Sequence, residues 1–197
     1  MNFLSQVVNG LGIGSIYALV ALGYSMVYGI VQLINFAHGD IIMVGAYVTY
    51  LALIVGGAPL WAAVVASIAF CAFSGVLIEK MAYRRLLNKN APRISLLITA
   101  IGVSIFLENL FQLLFTSSAK SMPNLFPGPA VSLGGLQVGR VTAITLAISI
   151  TLMVLLQLLV SKSKIGKAMR ATSEDTGAAK LMGISTEMII AVTFAVG

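Results

Sequence analysis

The stretch LWAAVVASIAFCAFSGVLIEKMAYRR, residues 60–85, contains the two features that decide the fold of this chain. Its first nineteen residues, 60–78, include no charged side chain, and Lys80, Arg84 and Arg85 follow directly. A helix of about twenty apolar residues is long enough to cross a hydrocarbon core of ~30 Å. The stretch therefore predicts a membrane-spanning helix with a basic end.

The composition of the whole chain agrees with this interpretation. Of 197 residues, 59% are hydrophobic and 9% are charged, and the mean hydropathy is +1.02. A soluble domain carries roughly a quarter charged residues. A signal peptide would account for one apolar run but not for several along the chain. We therefore predict an all-α, polytopic transmembrane helix bundle, with apolar runs at 6–30, about 41–56, 60–79, 94–115 and 141–160.

The positive charges are grouped rather than spread. The net charge is +6, yet no Lys or Arg precedes Lys80. One basic cluster then occupies 80–93 and another occupies 162–180, while the segment 116–140 between them has only Lys120 and Arg140. Basic loops face the cytoplasm, so the two clusters are predicted inside and the segment 116–140 outside. The charge indicates topology and contact with anionic membrane lipid, not a nucleic-acid partner.

The topology of the first and last residues follows by counting spans. Three spans before the loop at 80–93 place the N-terminus outside, whereas a re-entrant segment at 31–56 would place it inside. The apolar run from Met188 has only ten residues before Gly197, so we expect the chain to be truncated within its last span. We predict a single transmembrane domain over 1–197 with a cytoplasmic loop over 161–187.

Small residues line one face of the first predicted span. Gly10, Gly14 and Ala18 recur at four-residue spacing, and the glycines form a GxxxG pair. Such a face lets another helix approach closely, so these residues are predicted to pack a neighbouring helix.

Polar residues interrupt the apolar chain at two places. Asn35, His38 and Asp40 follow the first span, and Glu108 and Asn109 lie inside the span 94–115. In one interpretation the first group is an interfacial turn, with Gly39 relaxing the backbone and Asp40 capping the next helix. In the other, the segment is broken or re-entrant and lines a transport path together with Glu108 and Asn109.

The sequence gives no support for a reactive centre in these polar positions. One His and one carboxylate make an incomplete metal shell, so no metal site is predicted. No nucleophile, zinc-protease or paired-carboxylate motif occurs, and no catalytic residue is predicted.

The second basic segment contains the elements of a short helix. Thr172 and Asp175 have capping-box spacing, Glu174 and Asp175 suit a helix N-terminus, and Gly183 is a natural helix end. Between them, Ala178 and Ala179 form a small face beside larger apolar residues. Such a helix either docks in a groove of a soluble partner or lies on the membrane surface.

Three stretches together resemble a known family. NFAHGDIIMVGAY (35–47), LLITAIGVSIFLEN (96–109) and SKIGKAMRATSEDTGAAKLMGIS (163–185) are similar, in this order, to the permease subunits of bacterial ABC importers for branched-chain amino acids. The resemblance implies that the AAxxxG pattern, Ala178, Ala179 and Gly183, marks a cytoplasmic coupling helix for an ATPase. The family pattern has Glu before the alanines where this chain has Gly177, and Glu174 and Asp175 lie earlier.

The resemblance implies partners and a location that composition alone does not. A second homologous permease, cytoplasmic ATP-binding subunits and an external substrate-binding protein would join this chain in the bacterial inner membrane. The chain would bind no cofactor and would not be an enzyme, because ATP is used by the partner subunit. Urea, short amides or other amino acids are alternative substrates. An ion-coupled secondary transporter using Glu108 or His38 and an intramembrane enzyme are the alternatives from other classes.

Overall fold

The computed structural model describes residues 3–32, 34–89, 91–122, 124–133 and 136–197. Within these ranges the chain forms nine α-helices: α1 (Phe3–Val31), α2 (His38–Tyr50), α3 (Leu60–Ile78), α4 (Arg84–Asn88), α5 (Arg93–Phe115), α6 (Arg140–Lys162), α7 (Lys164–Glu174), α8 (Thr176–Leu181) and α9 (Thr186–Val196). Two π-helical segments, Leu51–Val55 and Glu79–Tyr83, continue α2 and α3. The strands β1 (Val131–Leu133) and β2 (Leu136–Val138) pair antiparallel.

Among the described residues, five helices are long and apolar enough to cross a membrane. They are Phe3–Val31, His38–Val55, Leu60–Asn88, Arg93–Phe115 and Arg140–Lys162. Each of them contains or closely matches one of the predicted apolar runs, and the prediction of an all-α, multi-pass membrane protein is confirmed. The short hairpin was not predicted, because three-residue strands leave no usable alternation of apolar and polar residues.

The segment after α1 is not a broken membrane helix. His38–Val55 is one continuous helix of 18 residues, so it extends about 27 Å and is close to a full crossing. The interruption lies before it, between Val31 and His38, where Gln32 has a left-handed φ of 52°. The length and continuity of this helix favour a crossing over a re-entrant segment at 31–56, and three helices precede the basic cluster at 80–93.

The described chain forms two compact units, and the prediction of one domain over 1–197 stays a prediction. The first unit comprises Met1–Gly23 and Ser121–Lys167. In it α1 meets α6, since a Cβ on Gly12 would lie 2.6 Å from Cγ2 of Thr142. The Thr142 hydroxyl also donates a hydrogen bond to Oδ1 of Asn9 at 3.3 Å.

The predicted packing face of α1 is not covered by another helix in the described part of the chain, and its packing role stays a prediction. Gly10, Gly14 and Ala18 are exposed and line an open groove beside Leu146, and a Cβ on either glycine would meet nothing within 4 Å. The buried face carries Ser5, Gly12 and Ser15 instead, the last two of which also lie one turn apart. A helix rich in small residues offers several such faces, and spacing alone does not choose between them.

The second unit comprises Tyr24–Lys120 and Ala168–Gly197. In it α2 and α3 pack antiparallel, because the Cys71 thiol points to the carbonyl of Ile41 and the Ser67 hydroxyl donates to the carbonyl of Gly45. The main apolar cluster joins helices that are distant in the sequence, with buried members Val27, Ile78, Tyr83, Leu96, Ala100 and Phe194.

One polar contact relates the end of α1 to the start of α5. The guanidinium of Arg93 donates to the side-chain carbonyl of Gln32 at 3.1 Å. Arg93 belongs to the basic cluster that the charge pattern places inside the cell, so the end of α1 lies on the same side. This arrangement agrees with an external N-terminus, which stays a prediction.

The approach of α9 to α3 gives a test of this packing. A Cβ at Gly75 would overlap the backbone carbonyl of Phe194, whereas a Cβ at Gly102 of α5 would meet nothing within 4 Å. We expect Gly75→Ala to lower the thermal unfolding midpoint of the detergent-purified protein. The matched change Gly102→Ala should leave it unchanged or raise it, because Ala is favoured over Gly in a helix by up to ~1 kcal/mol. Equal midpoints for both variants would contradict the close approach of α9 to α3.

Candidate functional site

Asn35 is a buried polar residue in the connection between α1 and α2, where its neighbours Ile34 and Phe36 are exposed. Its side-chain oxygen accepts hydrogen bonds from the backbone N–H of Ala37 at 3.2 Å and from the hydroxyl of Tyr83 at 3.0 Å. Its backbone carbonyl accepts from the N–H of His38 at 3.2 Å. Asn35 and Tyr83 are both almost fully buried, and the ring of His38 meets that of Tyr24 edge to face at 5.8 Å. Asn35 therefore supplies bonds that water cannot give at this buried position.

Asp40 does not cap α2, so that prediction is wrong. The helix begins at His38, and no side chain caps it at Ala37. Asp40 lies in the first turn, where the helix dipole favours a carboxylate, and Gly39 lies inside the helix. Within the described residues, Oδ2 of Asp40 is buried and has no hydrogen-bond partner. The local capping role belongs to Asn35, because its side chain reaches the N–H two residues later.

A π-helical turn arranges a second polar group at the end of α3. In the segment Glu79–Tyr83 the backbone bonds join residues five apart, as in the bond from Arg84 N–H to the Glu79 carbonyl. The same spacing brings the Arg84 guanidinium to both carboxylate oxygens of Glu79, at 3.0 and 2.7 Å. Glu79 is 1% exposed and the Arg84 side chain is 26% exposed, so this is a bidentate ion pair that is buried on the Glu79 side. A five-residue separation does not bring two side chains together on a regular α-helix, so the bidentate geometry depends on the π-helical turn.

The π-helical segment and the helix α4 that follows it contact the start and the end of α9. Glu187 lies 3.8 Å from Arg84, and the side-chain amide of Asn88 donates to Glu187 at 3.3 Å. Further along α9, the ring of Phe194 lies 5.3 Å from that of Tyr83. Tyr83 thus touches both the α1–α2 connection and α9.

A cavity of about 250 Å³ lies beside this network. Asn35, His38, Ser67 and Cys71 are its polar lining residues, and the rest of the wall is largely aliphatic. Asn35 and His38 are therefore brought together as the sequence predicts. Asp40 is not among the lining residues.

Glu108 and Asn109 lie elsewhere. Both are exposed on α5, and the Asn109 amide donates to the carbonyl of Ile105 in its own helix. The structure therefore does not bring them to Asn35 and His38, and their part in a transport path stays a prediction. In the described ranges no three His, Cys, Asp or Glu side chains come together.

Two helices, not one, form the segment between α6 and α9. Ser163 starts α7, since its hydroxyl accepts from the N–H of Gly166, and its carbonyl accepts from the N–H of Lys167. A Cβ on Gly166 would overlap the carbonyls of Leu159 and Val160, so the turn from α6 into α7 requires glycine. This helix was not predicted.

The predicted capping box of α8 is also wrong. The Thr172 hydroxyl donates to the Ala168 carbonyl within α7. Asp175 caps α8 alone, because its Oδ1 accepts from the N–H groups of Gly177 and Ala178 at 2.7 and 3.0 Å.

The predicted end of α8 at Gly183 matches the structure. Gly183 has a φ of 82°, and its N–H bonds to the Lys180 carbonyl. The N–H of Ile184 bonds to the Ala179 carbonyl, which completes a Schellman motif.

The two alanines of α8 do not form one docking face. Ala179 is 3% exposed and packs inside the chain, whereas Ala178 is exposed. The prediction that Ala179 offers a small face to a partner is wrong for this reason. The groups that α8 presents outward are Glu174, Asp175 and Gly177 at its start and Leu181 and Met182 at its end, with Leu181 91% and Met182 83% exposed.

These features define a multi-pass membrane protein with a short capped helix between its membrane-spanning helices and a partly polar cavity. Residues 6–197 match the family model described as branched-chain amino acid transport system / permease component, and the chain belongs to this family.

Two named relatives align with the whole of this chain, and a third aligns with most of it. The chain is 41% identical over 208 residues to the high-affinity branched-chain amino acid transport system permease protein BraD of Pseudomonas aeruginosa, and 39% identical over 210 residues to the LivH protein of Escherichia coli K12. Each alignment covers 100% of this chain and 67% of the relative. The probable LivH permease of Methanocaldococcus jannaschii is 29% identical over 181 residues, which is 88% of this chain and 56% of the relative. No solved structure matches the chain.

The buried ion pair gives the first prediction about this site. Arg84→Gln leaves Glu79 buried without its cation, and breaking a buried pair costs ~3–5 kcal/mol. Glu187→Gln removes only the longer, exposed contact to Arg84, for which ~0–1 kcal/mol is typical. We therefore expect a large fall in thermal unfolding midpoint for Arg84→Gln and a small one for Glu187→Gln, measured in the same detergent. A reversed order would mean that Glu79 is not the principal partner of Arg84.

The alanines of α8 give the second prediction about this site. Ala179→Leu forces a larger side chain into a filled position, which costs ~1–3 kcal/mol. Ala178→Leu makes the same change one residue earlier, at an exposed position. Only the first should lower the unfolding midpoint of the protein purified without its partners. If Ala178→Leu proves the more damaging, the orientation of α8 is wrong.

Proposed function

We propose that this chain is the membrane-spanning permease subunit of an ATP-driven importer that moves branched-chain amino acids into the bacterial cytoplasm. The family and the substrate named for its relatives support this function, and the helices provide the required membrane crossings. The bacterial cytoplasmic membrane is the proposed location, as the resemblance implies.

The exposed end of α8 is the observation that supports coupling of this permease to an ATPase. A helix of six residues is too short to be stable by itself, so its two caps hold it in place. It nevertheless leaves two large apolar side chains, Leu181 and Met182, almost fully exposed. Such a pair on a rigid, capped helix in a cytoplasmic segment suits the surface of a soluble partner better than water.

The occupant proposed for this surface is a cytoplasmic ATP-binding subunit. Glu174 and Asp175 lie at the other end of the same short helix, so polar and apolar contacts are available together. In this proposal ATP is bound and hydrolysed by the partner, and the permease itself has neither a cofactor nor a catalytic residue.

Two further partners complete the proposed importer. A second homologous permease would lie beside this chain in the membrane. An external binding protein would deliver the amino acid to the side that carries the segment 116–139. Glu108 and Asn109, exposed on a membrane-spanning helix, are expected to be covered in such an assembly, because an uncovered ionisable group in lipid is costly.

Truncation of the exposed apolar pair tests the coupling. Burying a Leu or Met side chain contributes ~1.5–3 kcal/mol, so Leu181→Ala or Met182→Ala should weaken ATPase binding by about tenfold or more. Met122→Ala truncates a half-exposed apolar residue in the segment predicted outside and serves as the control. The measurement is the ATPase retained when the permease is purified, together with leucine uptake by vesicles.

Two outcomes would contradict the proposal. Wild-type retention in both α8 variants would mean that α8 does not bind the ATPase. Leucine uptake that is abolished by a protonophore but unaffected by an inactive ATPase subunit would indicate an ion-coupled transporter instead.

A further inference from the structure

We propose that the cavity between α2, α3 and α9 receives the branched aliphatic side chain of the transported amino acid. This inference rests on the proposed function and adds where, within this chain, the substrate is recognised. The cavity belongs wholly to the second unit, so its walls are described within one compact body.

The wall of the cavity is mostly apolar, with polar side chains at a few positions. Asn35 and His38 lie at the start of α2, where the connection from α1 enters the helix. About one turn of α2 beyond His38, Cys71 of α3 lies opposite Ile41. One further turn along α2, Ser67 of α3 lies opposite Gly45. From His38 to Gly45 the helix rises about 10 Å. Between these levels the wall is aliphatic or aromatic, formed by Val27, Ile41, Ile42, Ile68, Ala72 and Phe194.

The size and polarity suit one small amphipathic molecule. A volume of about 250 Å³ equals roughly eight water molecules at ~30 Å³ each. The aliphatic wall gains free energy by covering a hydrocarbon side chain at ~25 cal/mol per Å². The charged amino and carboxyl groups of the same molecule must keep polar neighbours, which Asn35 and His38 provide at the start of α2 and Cys71 and Ser67 provide further along the wall.

A second, larger cavity in the same unit is a poorer candidate. It measures about 730 Å³ and lies between α2, α3 and α5, with walls that include Tyr47, Phe111 and Phe115. Almost all of its surface is apolar, so the charged groups of an amino acid would lose their hydration without replacement. A lipid chain or another helix fits that wall better.

Cys71 allows the occupancy of the proposed site to be measured without any substitution. It is the only cysteine of this sequence, it lines the cavity, and its side chain is only partly buried. The assembled membrane complex is treated with N-ethylmaleimide, and the modified Cys71 peptide is quantified by mass spectrometry over time. The reaction is run with leucine-loaded binding protein, with binding protein alone, and with free glycine, each with and without ATP.

We expect leucine to slow the modification of Cys71 at least threefold in one nucleotide state, and glycine to leave the rate within experimental error. An unchanged rate in every state, in a complex that transports leucine, would overturn the proposal. A complex that transports no branched-chain amino acid at all would overturn the proposed function instead, so the two failures are distinguishable.

A matched pair of substitutions on α3 tests the same site by its size. Ala72→Leu fills the cavity, whereas Ala69→Leu places the same side chain at an exposed position of the same helix that is not part of the lining. Leucine and isoleucine uptake should fall at least tenfold in Ala72→Leu, valine uptake should fall less, and Ala69→Leu should stay within twofold of wild type. Equal effects on all three substrates in an intact complex would contradict a side-chain pocket. If Ala72→Leu does not assemble, the labelling experiment decides.

Discussion

The second unit depends on the hydrogen bonds of one buried side chain, that of Asn35. Asn35 and Ala37, just before α2, are almost fully buried, so their polar groups need protein partners. Asn35 provides several of these bonds at once, to Ala37, His38 and Tyr83. The bond to Tyr83 joins residues 48 apart in the chain and fixes the end of α3 against the start of α2. The cavity lies on the other side of this contact, and Asn35 is part of its wall.

The helix α9 contacts both the segment that contains α7 and α8 and the cavity. It begins at Thr186, shortly after the left-handed Gly183 that ends α8. Glu187 in its first turn faces Arg84, and Phe194 contacts Tyr83 and lines the cavity. Met169 of α7 is fully buried with Ile30 and Ile189, so α7 is also packed against this helix. The helix α7 is therefore anchored on the same helix that lines the cavity.

The buried pair of Glu79 and Arg84 shows how a membrane helix can carry charge near its end. A carboxylate at 1% exposure is tolerated because the guanidinium bonds both of its oxygens. The π-helical turn makes this geometry possible by widening the spacing from four residues to five. Such turns occur frequently at functional sites, and this one contributes both the ion pair and Tyr83.

The sequence by itself determined the membrane spans, because a stretch of about twenty apolar residues has few alternatives to a helix in lipid. It also determined the end of α8, since Gly183 adopts a conformation that other residues avoid. These features depend only on neighbours along the chain.

Only the tertiary structure decided which faces and which polar groups meet. Gly10 and Gly14 are exposed while Gly12 approaches Thr142, although all three are small. Of two adjacent alanines, Ala179 is buried and Ala178 is not. Asn35 bonds with Tyr83 while Glu108 lies apart on α5, and no spacing in the sequence distinguishes them. The physical reason is the same in each case: the direction a helix face points is set by contacts with helices far away in the sequence, and local periodicity carries no information about them.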